Sequence, residues 1–436
     1  QMLGEYEAAG SIYSALLRAN PTDPQMHLNL SVVLLCLQRS AEGWEHYKWR
    51  KKSNKLSWEQ QNLQNFVSAP LWAGENLDGK TILLVEEQGL GDVIQCLQYA
   101  GELKKRYNCK IQMTVREALL PLIEQYPHVD QWITEISHSM PDSDYHAYLF
   151  DLPGVLDVQL DEFSNREPYI HADPGLVDVW REKLADYGGL KVAIVWQGNK
   201  NHSSDHWRSF PLKAIQPLSQ LQGVTFFSLQ RDHGVEQLAH NSTGVSLVNL
   251  GEDIDRDTGI FVETAAVLKN MDLLITCDSS VNHLASALGV KSWLALAAAS
   301  PDWRWGSDRD DYPSYPEMRI YRCPRTRDWQ GVFESMAQNL AQSFPEVSIK
   351  SPSLQRLHSS PSADIRMTKY GALICPIADK QCTPQLNNYG EFMSSEIDLI
   401  SQFLLPGGLI IEIGANIGEH TIPLSNLVGD GGDVLA

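Results

Sequence analysis

Paired cysteines are missing from this sequence. The seven present (Cys36, Cys96, Cys109, Cys277, Cys323, Cys375 and Cys382) are odd in number, scattered and never in CxxC spacing. That argues against a disulfide framework or a zinc site and fits a reducing compartment. Positive charge is also short, with 35 Lys and Arg against 54 Asp and Glu for a formal net charge of −19. Such a balance argues against a nucleic-acid partner, whose phosphates would be repelled. It leaves room for a small anionic substrate, because a local arginine cluster overrides a global field. No apolar run is long enough to span a bilayer and no signal peptide is visible, so a cytoplasmic location is expected. What remains is ordinary globular material, 43% hydrophobic and 20% charged over 436 residues. That length exceeds one core and implies three or four domains. The chain opens at Gln1 inside a helical pattern and stops inside another motif, so it reads as a piece of something longer.

Residues 1–52 are helical in pattern. Tyr6, Ala9, Tyr13 and Leu16 share a face, "NPTDP" interrupts, and His27, Leu30 and Leu34 resume the period. The pair looks like the remnant of a tetratricopeptide array, or an ordinary helical hairpin packed on the next domain. Residues 53–78 read as a polar connector. From Gly79 strands and helices alternate: "KTILLV", the helix "VIQCLQYAGELKKRY", "KIQMTV", the helix "EALLPLIEQY", "QWITEI" and "AYLFDL". A second series follows a helix near 174–188 with "KVAIVWQG", a helix near 212–221, "VTFFSLQ", a helix near 261–270, "DLLITCD", the helix "VNHLASALG" and "KSWLALAA". The pattern predicts an α/β fold of two Rossmann-like domains, 79–175 and 176–342, facing each other across a cleft. Ligands of such sheets bind beyond the carboxyl ends of the strands. The Ser- and Pro-rich stretch 343–366 reads as a linker.

The chemistry-bearing residues sit in those strand-end loops. In "LLVEEQGLGDVIQ", Gln88, Gly89 and Gly91 precede or open a helix and Asp92 stands at its start. Asp92 serves equally as a helix cap or as a base for catalysis. In "TCDSSVNHLASALG", Asp278, Ser279 and Ser280 meet a helix start that suits a phosphate, with His283 one turn in. Taken alone, that group reads first as capping with a packing histidine. "WQGNKNHSSDHWRSFPL" places Gly198 in a loop and Arg208 before a helix, where a guanidinium grips a diphosphate or is simply solvated. Ser228 and Gln230 end another strand, and Glu263 and Thr264 open a helix as caps or as ligands for sugar hydroxyls. Arg304, Arg309, Arg319, Arg322, Arg325 and Arg327 lie among Trp and Tyr, and with their interleaved Asp residues read as a lid or wall of a cleft.

Over 71–335 the pieces "LWAGENLDGKTILLVEEQGLGDVIQ", "VAIVWQGN", "RSFPL", "FFSLQ", "VETAA", "DSSVNHLASALG" and "PDWRWG" with "YPEMRIYR" appear in one order. Together, and with helices ending "EGWEHYKWR", they resemble bacterial tetratricopeptide-fused glycosyltransferases related to the lipopolysaccharide heptosyltransferases, which have the GT-B fold. The resemblance implies an inverting transfer from a nucleotide-sugar donor to a hydroxyl of a glycan, lipid-linked or protein acceptor. It implies Asp92 as general base, Arg208 on the donor diphosphate, and Ser279, Ser280 and His283 at the phosphate-binding helix start. The family loop usually reads Asp-Thr/Ser-Gly, and here Ser280 replaces the glycine. That departure puts donor identity in doubt and motivates an alternative, a non-catalytic scaffold or nucleotide-binding interaction protein that meets partners through its helices. A phosphate-sugar isomerase or epimerase lacks the needed nucleophile and base. No DxD triplet lies in a strand-end loop, so neither a metal nor a cofactor is expected for glycosyl transfer.

The tail "GGLIIEIGANIGEHTIPLSNLVG", with "YGEFMSSEIDLI" before it, resembles the first motif of FkbM-type methyltransferases dependent on S-adenosylmethionine. Glu412, Gly414, Asn416 and Gly418 match the turn around the cofactor's methionine end. Residues 367–436 are expected to be an incomplete methyltransferase segment, with cofactor binding reserved to the full-length protein.

Overall fold

The computed structural model describes residues 5–52, 63–138, 140–158, 167–202, 204–297, 302–307, 309–324 and 328–350, and five further strands between 355 and 435. It divides into one unit over Gln1–Val347 and another over Ser348–Ala436.

Three helices lead the first unit: α1 (Tyr6–Ala19), α2 (Pro24–Cys36) and α3 (Ser40–Tyr47). Asp23 starts α2 by accepting from the amides of Gln25 at 2.9 Å and Met26 at 3.1 Å, with Pro24 in the first turn where no amide is needed. The inward face of α1 runs through Tyr6, Ala9, Tyr13 and Leu17, while Leu16, expected inside, is exposed. Gly43 lets α3 lie close on α2, since a Cβ there would meet Leu35 at 2.7 Å.

Two parallel sheets follow. The first has β1 (Thr81–Val85), β2 (Lys110–Thr114), β3 (Gln131–Ile133) and β4 (Tyr145–Tyr148) in the order β3-β2-β1-β4, with α4 (Leu90–Arg106) after β1. After α5 (Pro174–Lys183) comes the second: β5 (Leu190–Val195), β6 (Val224–Ser228), β7 (Leu247–Asn249), α6 (Val262–Leu268), β8 (Leu273–Thr276), α7 (Ser280–Ala287), β9 (Ser292–Leu296), β10 (Met318–Arg322) and α8 (Trp329–Ser343). Its order is β10-β9-β8-β5-β6-β7, all parallel. The central strands are buried on both faces, which is why they read as unbroken apolar runs. Strand order reverses between β1 and β4 and again between β5 and β8. Crevices form at such switch points. The loops after β1, β5 and β8 carry Asp92, Arg208 and Asp278.

Several local readings shift. "EALLPLIEQY" makes only a 3₁₀ turn (Glu117–Leu119) and one helical turn (Leu120–Ile123), because the carbonyl of Ala118 is taken by the amide of Ile260 at 2.9 Å. The 212–221 helix is 3₁₀ in form and contains Pro217. In "AYLFDL" the strand stops at Tyr148 and Leu149–Asp151 turns, because Asp151 is drawn to Arg50. The 53–78 connector is not wholly exposed, since Trp72 and Leu77 enter the core. Strands β7 and β10 form where no strand was expected.

In the second unit, Gln355–Ser359, Ala363–Thr368 and Gly371–Pro376 form an antiparallel meander. The first of these strands falls inside the stretch read as linker, and the second begins there. Leu409–Ile411 pairs in parallel with Asp433–Leu435. Glu412, Gly414, Asn416 and Gly418 lie outside the described residues.

Candidate active site

The loop after β1 is held from two sides. Gln88 takes a left-handed conformation with φ 66°. Its side chain donates to the Tyr47 hydroxyl at 2.7 Å, and its carbonyl accepts from Arg116. Just before it, buried Glu87 receives the Arg50 guanidinium in a fork, Nη2 at 2.6 Å and Nε at 3.0 Å, and also accepts from the Phe150 amide at 2.9 Å. Arg50 reaches Asp151 at 3.0 Å, and Lys51 meets the same carboxylate at 2.7 Å. One arginine from the helical segment thus ties together the ends of β1 and β4.

Asp92 occupies the third position of α4, where its Oδ2 accepts from the Gly89 amide at 2.7 Å. The capping reading therefore holds, and it accounts for one carboxylate oxygen only. The other oxygen pairs with Arg304, a fully enclosed guanidinium from the turn after β9. Arg304 also meets Asp302 at 2.6 Å and donates to Gln95, whose amide in turn reaches the Tyr312 hydroxyl at 2.8 Å. Its guanidinium lies 4.7 Å above the Trp303 ring and 5.1 Å above Phe150. Trp303 packs edge-on against Trp44 of α3 at 5.0 Å, so the helical segment supports this turn as well. Burial pushes the Asp92 carboxyl up, Arg304 opposes it, and Asp302 adds to the rise.

Facing this loop is the start of α7. A Cβ on Gly91 would stand 2.8 Å from the His283 ring and 3.1 Å from Ser280 Cα, and the Gly91 amide donates to Ser280 Oγ at 3.1 Å. Gly91 thus makes room for α7, and the Ser280 side chain bridges the two switch-point loops. We expect Gly91→Ala to lower the unfolding temperature. Alanine gains about 1 kcal/mol of helix propensity, but overpacking costs about 1–3 kcal/mol, and a backbone Cα cannot rotate away. An unchanged or raised midpoint in a thermal melt would contradict the close approach.

His283 is buried. Its Nδ1 shares a hydrogen bond with the Tyr315 hydroxyl at 2.9 Å and its ring stacks on Trp305 at 5.6 Å. Burial, then Arg304 and Arg208, hold it well below the usual range, so it is a neutral imidazole. Ser279 Oγ lies 3.3 Å from Thr276 Oγ1. Burial and the neighbouring Asp302 push Asp278 up to about 6, against Arg208 and Arg304.

Arg208 stands apart from the other site arginine. Its side chain is 22% exposed, its one ion pair among the described residues is Asp205 at 3.8 Å, and its buried Nε has no hydrogen-bond partner there. Gly198 lets it in, because a Cβ there would be 2.9 Å from Nη2. The Gly198 amide reaches Ser209 Oγ at 3.3 Å. Gln230 is otherwise engaged: Oε1 accepts from the amides of Trp196 at 2.9 Å and Gln197 at 3.0 Å, and Nε2 donates to the Gln197 carbonyl at 2.8 Å and that of His233 at 2.6 Å. Ser228 is wholly buried and accepts from the Gln230 amide at 3.3 Å. Gln230 thus braces the loop after β5, and Ser228 holds the backbone of Gln230. Glu263 and Thr264 meet Asp255, which accepts from their amides at 2.7 and 3.0 Å and from the Thr264 hydroxyl, while Glu263 accepts from the Asp255 amide at 2.8 Å. That is reciprocal capping of α6.

The structure therefore brings Asp92, Gly91, Ser280 and His283 into one interface, with Arg208 and Asp278 coupled to it electrostatically. Sequence reasoning placed Arg304 only within a cluster and passed over Arg50, Glu87, Asp302 and Asp255. The aromatic-flanked arginines of "EHYKWR" and "PDWRWG" were the available signal. Among the described residues no group of three or more His, Cys, Asp or Glu is arranged to hold a metal ion, and no helix is long and apolar enough to cross a membrane.

No family model matches the chain. It is 27% identical over 367 residues to protein FlbA of Caulobacter vibrioides, covering 78% of this chain. The chain spans 59% of the length of that relative. Similar solved structures include a family 9 glycosyl transferase from Veillonella parvula (14% identity, 62% of this chain and 91% of that one, TM-score 0.42). Another is the Escherichia coli ADP-heptose lipopolysaccharide heptosyltransferase II (16% identity, 60% and 99%, TM-score 0.41). A third is E. coli heptosyltransferase WaaC with ADP (12% identity, 60% and 99%, TM-score 0.41).

Proposed function

We propose that this chain is an inverting glycosyltransferase that moves a sugar from a nucleotide-sugar donor to a hydroxyl of a glycan, lipid-linked or protein acceptor. One observation carries the reading. A partly buried carboxylate fixed on a helix start, Asp92, belongs to one switch-point loop, and a guanidinium whose buried Nε has no hydrogen-bond partner among the described residues, Arg208, belongs to another. The first suits proton removal and the second suits an arriving anion. In the proposed step Asp92 takes the acceptor's hydroxyl proton and the oxygen attacks the anomeric carbon. The bond from that carbon to the phosphate oxygen breaks with its electron pair, and Arg208 with the first amides of α7 receives the nucleoside diphosphate. No cofactor enters this scheme. The motif order described above supports the same assignment, and a cytoplasmic enzyme with a protein partner on its helices is the setting it implies.

A second reading, a non-catalytic scaffold, is favoured by specific contacts. Ser280 and His283 are spent on Gly91 and Tyr315, and both Asp92 oxygens are engaged. Calorimetry with nucleoside diphosphates separates the two. We expect Arg208→Ala to weaken binding by about 1.5–3 kcal/mol, the scale of a charge-assisted hydrogen bond. Equal affinity in both proteins would place Arg208 outside the donor site, and no binding by the wild type would leave the scaffold.

A further inference from the structure

We propose that Arg304 is the positioning residue for Asp92, holding the carboxylate in place across the interface between the two sheets and keeping it ionised for its role as base. This rests on the glycosyltransferase reading.

The geometry is that of a built device. Arg304 and Asp92 are 212 residues apart in sequence and meet with the guanidinium buried and the carboxylate partly buried. The guanidinium is fixed by more than this pair: Asp302 at 2.6 Å, Gln95 at its Nε, and the faces of Trp303 and Phe150. Asp302 fixes the backbone of the same turn by accepting from the Arg304 amide at 3.0 Å. A planar guanidinium in such a cage cannot swing, so the oxygen it holds cannot swing either. The Gly89 amide holds the other oxygen, so the carboxylate is set in orientation as well as position.

Charge follows from the same contacts. The groups acting on Asp92 are Arg304 and Asp302 from the turn after β9, the Gly89 amide, Cys96 one turn along α4, and His202 from the loop after β5. Burial and Asp302 favour the protonated acid, while Arg304 is the principal group favouring the carboxylate. A base protonated at working pH cannot accept a proton, so the ion pair sets the acidic limit of activity.

Two substitutions with opposite expected signs test this. Arg304→Gln removes the cation and leaves burial and Asp302. The acidic limb of the pH profile of kcat should move up by about one to three pH units, the usual effect of an opposite charge at this range. Donor KM should stay within a few-fold. Asp302→Asn removes the like charge and frees Arg304 for Asp92, so its limb should move down. Arg304→Lys keeps the charge but not the planar fork, so its acidic limb should stay near that of the wild type while kcat falls. A role in packing alone lowers activity at every pH without moving the limb, and that result, or limbs moving together, overturns the proposal. If Arg304→Gln does not fold, the Asp302→Asn limb decides alone. The same titration is read without turnover from the Asp92 carboxyl carbon in aspartate-labelled protein, its signal identified by loss in Asp92→Asn. A wild type without transferase activity sinks the functional reading, while this signal still decides whether Arg304 holds Asp92 ionised.

Discussion

Replacing Asp92 by Asn is expected to lower turnover by about two to four orders of magnitude, the usual worth of a general base. Nucleotide affinity should hardly change. Asparagine keeps an oxygen for the Gly89 amide, so the first turn of α4 stays capped. The cost falls on Arg304, which loses one of two carboxylates in a buried site. Asp302 still neutralises it, so the protein should fold with a modest loss of stability. Rates of donor turnover and calorimetric affinities, measured on the same preparation, separate the two effects. A variant with wild-type turnover would show that Asp92 only caps the helix and pairs with Arg304.

The second large effect is expected at Arg50. Arg50→Met removes the guanidinium shared by Glu87 and Asp151 and leaves two carboxylates in the interior, with Lys51 reaching one of them. Breaking a buried pair from one side costs about 3–5 kcal/mol. The pH dependence has a definite sign. Against burial, Arg50 and Lys51 hold Asp151 below the usual carboxylate range. A depressed folded-state value contributes stability above the unfolded value, and that contribution is lost as pH falls through the folded one. The deficit of Arg50→Met should therefore be largest at neutral pH and shrink in acid, below about pH 4. Urea unfolding at two pH values checks this. A deficit that is constant or grows in acid would mean that the arginine acts by packing alone. Activity should fall with stability, because Glu87 lies directly before the loop that carries Asp92.

The sheets were legible because parallel strands covered on both faces must be apolar throughout. "KTILLV", "KVAIVW", "DLLITC" and "KSWLALAA" are such runs, and their alternation with helices leaves few topologies. The three-residue strand β7 is half-buried, and β10 carries two arginines, so neither presents that signature. The "EALLPLIEQY" helix was lost to a contact with Ile260, which local spacing cannot reveal. The site divides the same way. Asp92, Asp278 and Arg208 were visible as chemistry at the ends of predicted strands. What each of them touches was not, because Arg304 approaches Asp92 from 212 residues away and Ser280 approaches Gly91 from 189. Gln230 looked free for a ligand because its side-chain hydrogen bonds go to backbone groups, which carry no mark in the sequence.

The most direct measurement is a mass-spectrometric screen of nucleotide sugars, incubated with the wild-type chain and with Asp92→Asn. The account predicts that at least one donor is split by the wild type into a free or transferred sugar and a nucleoside diphosphate, and that Asp92→Asn slows this by about two orders of magnitude or more. A complete panel left intact by the wild type, or a donor split equally fast by both proteins, would contradict it.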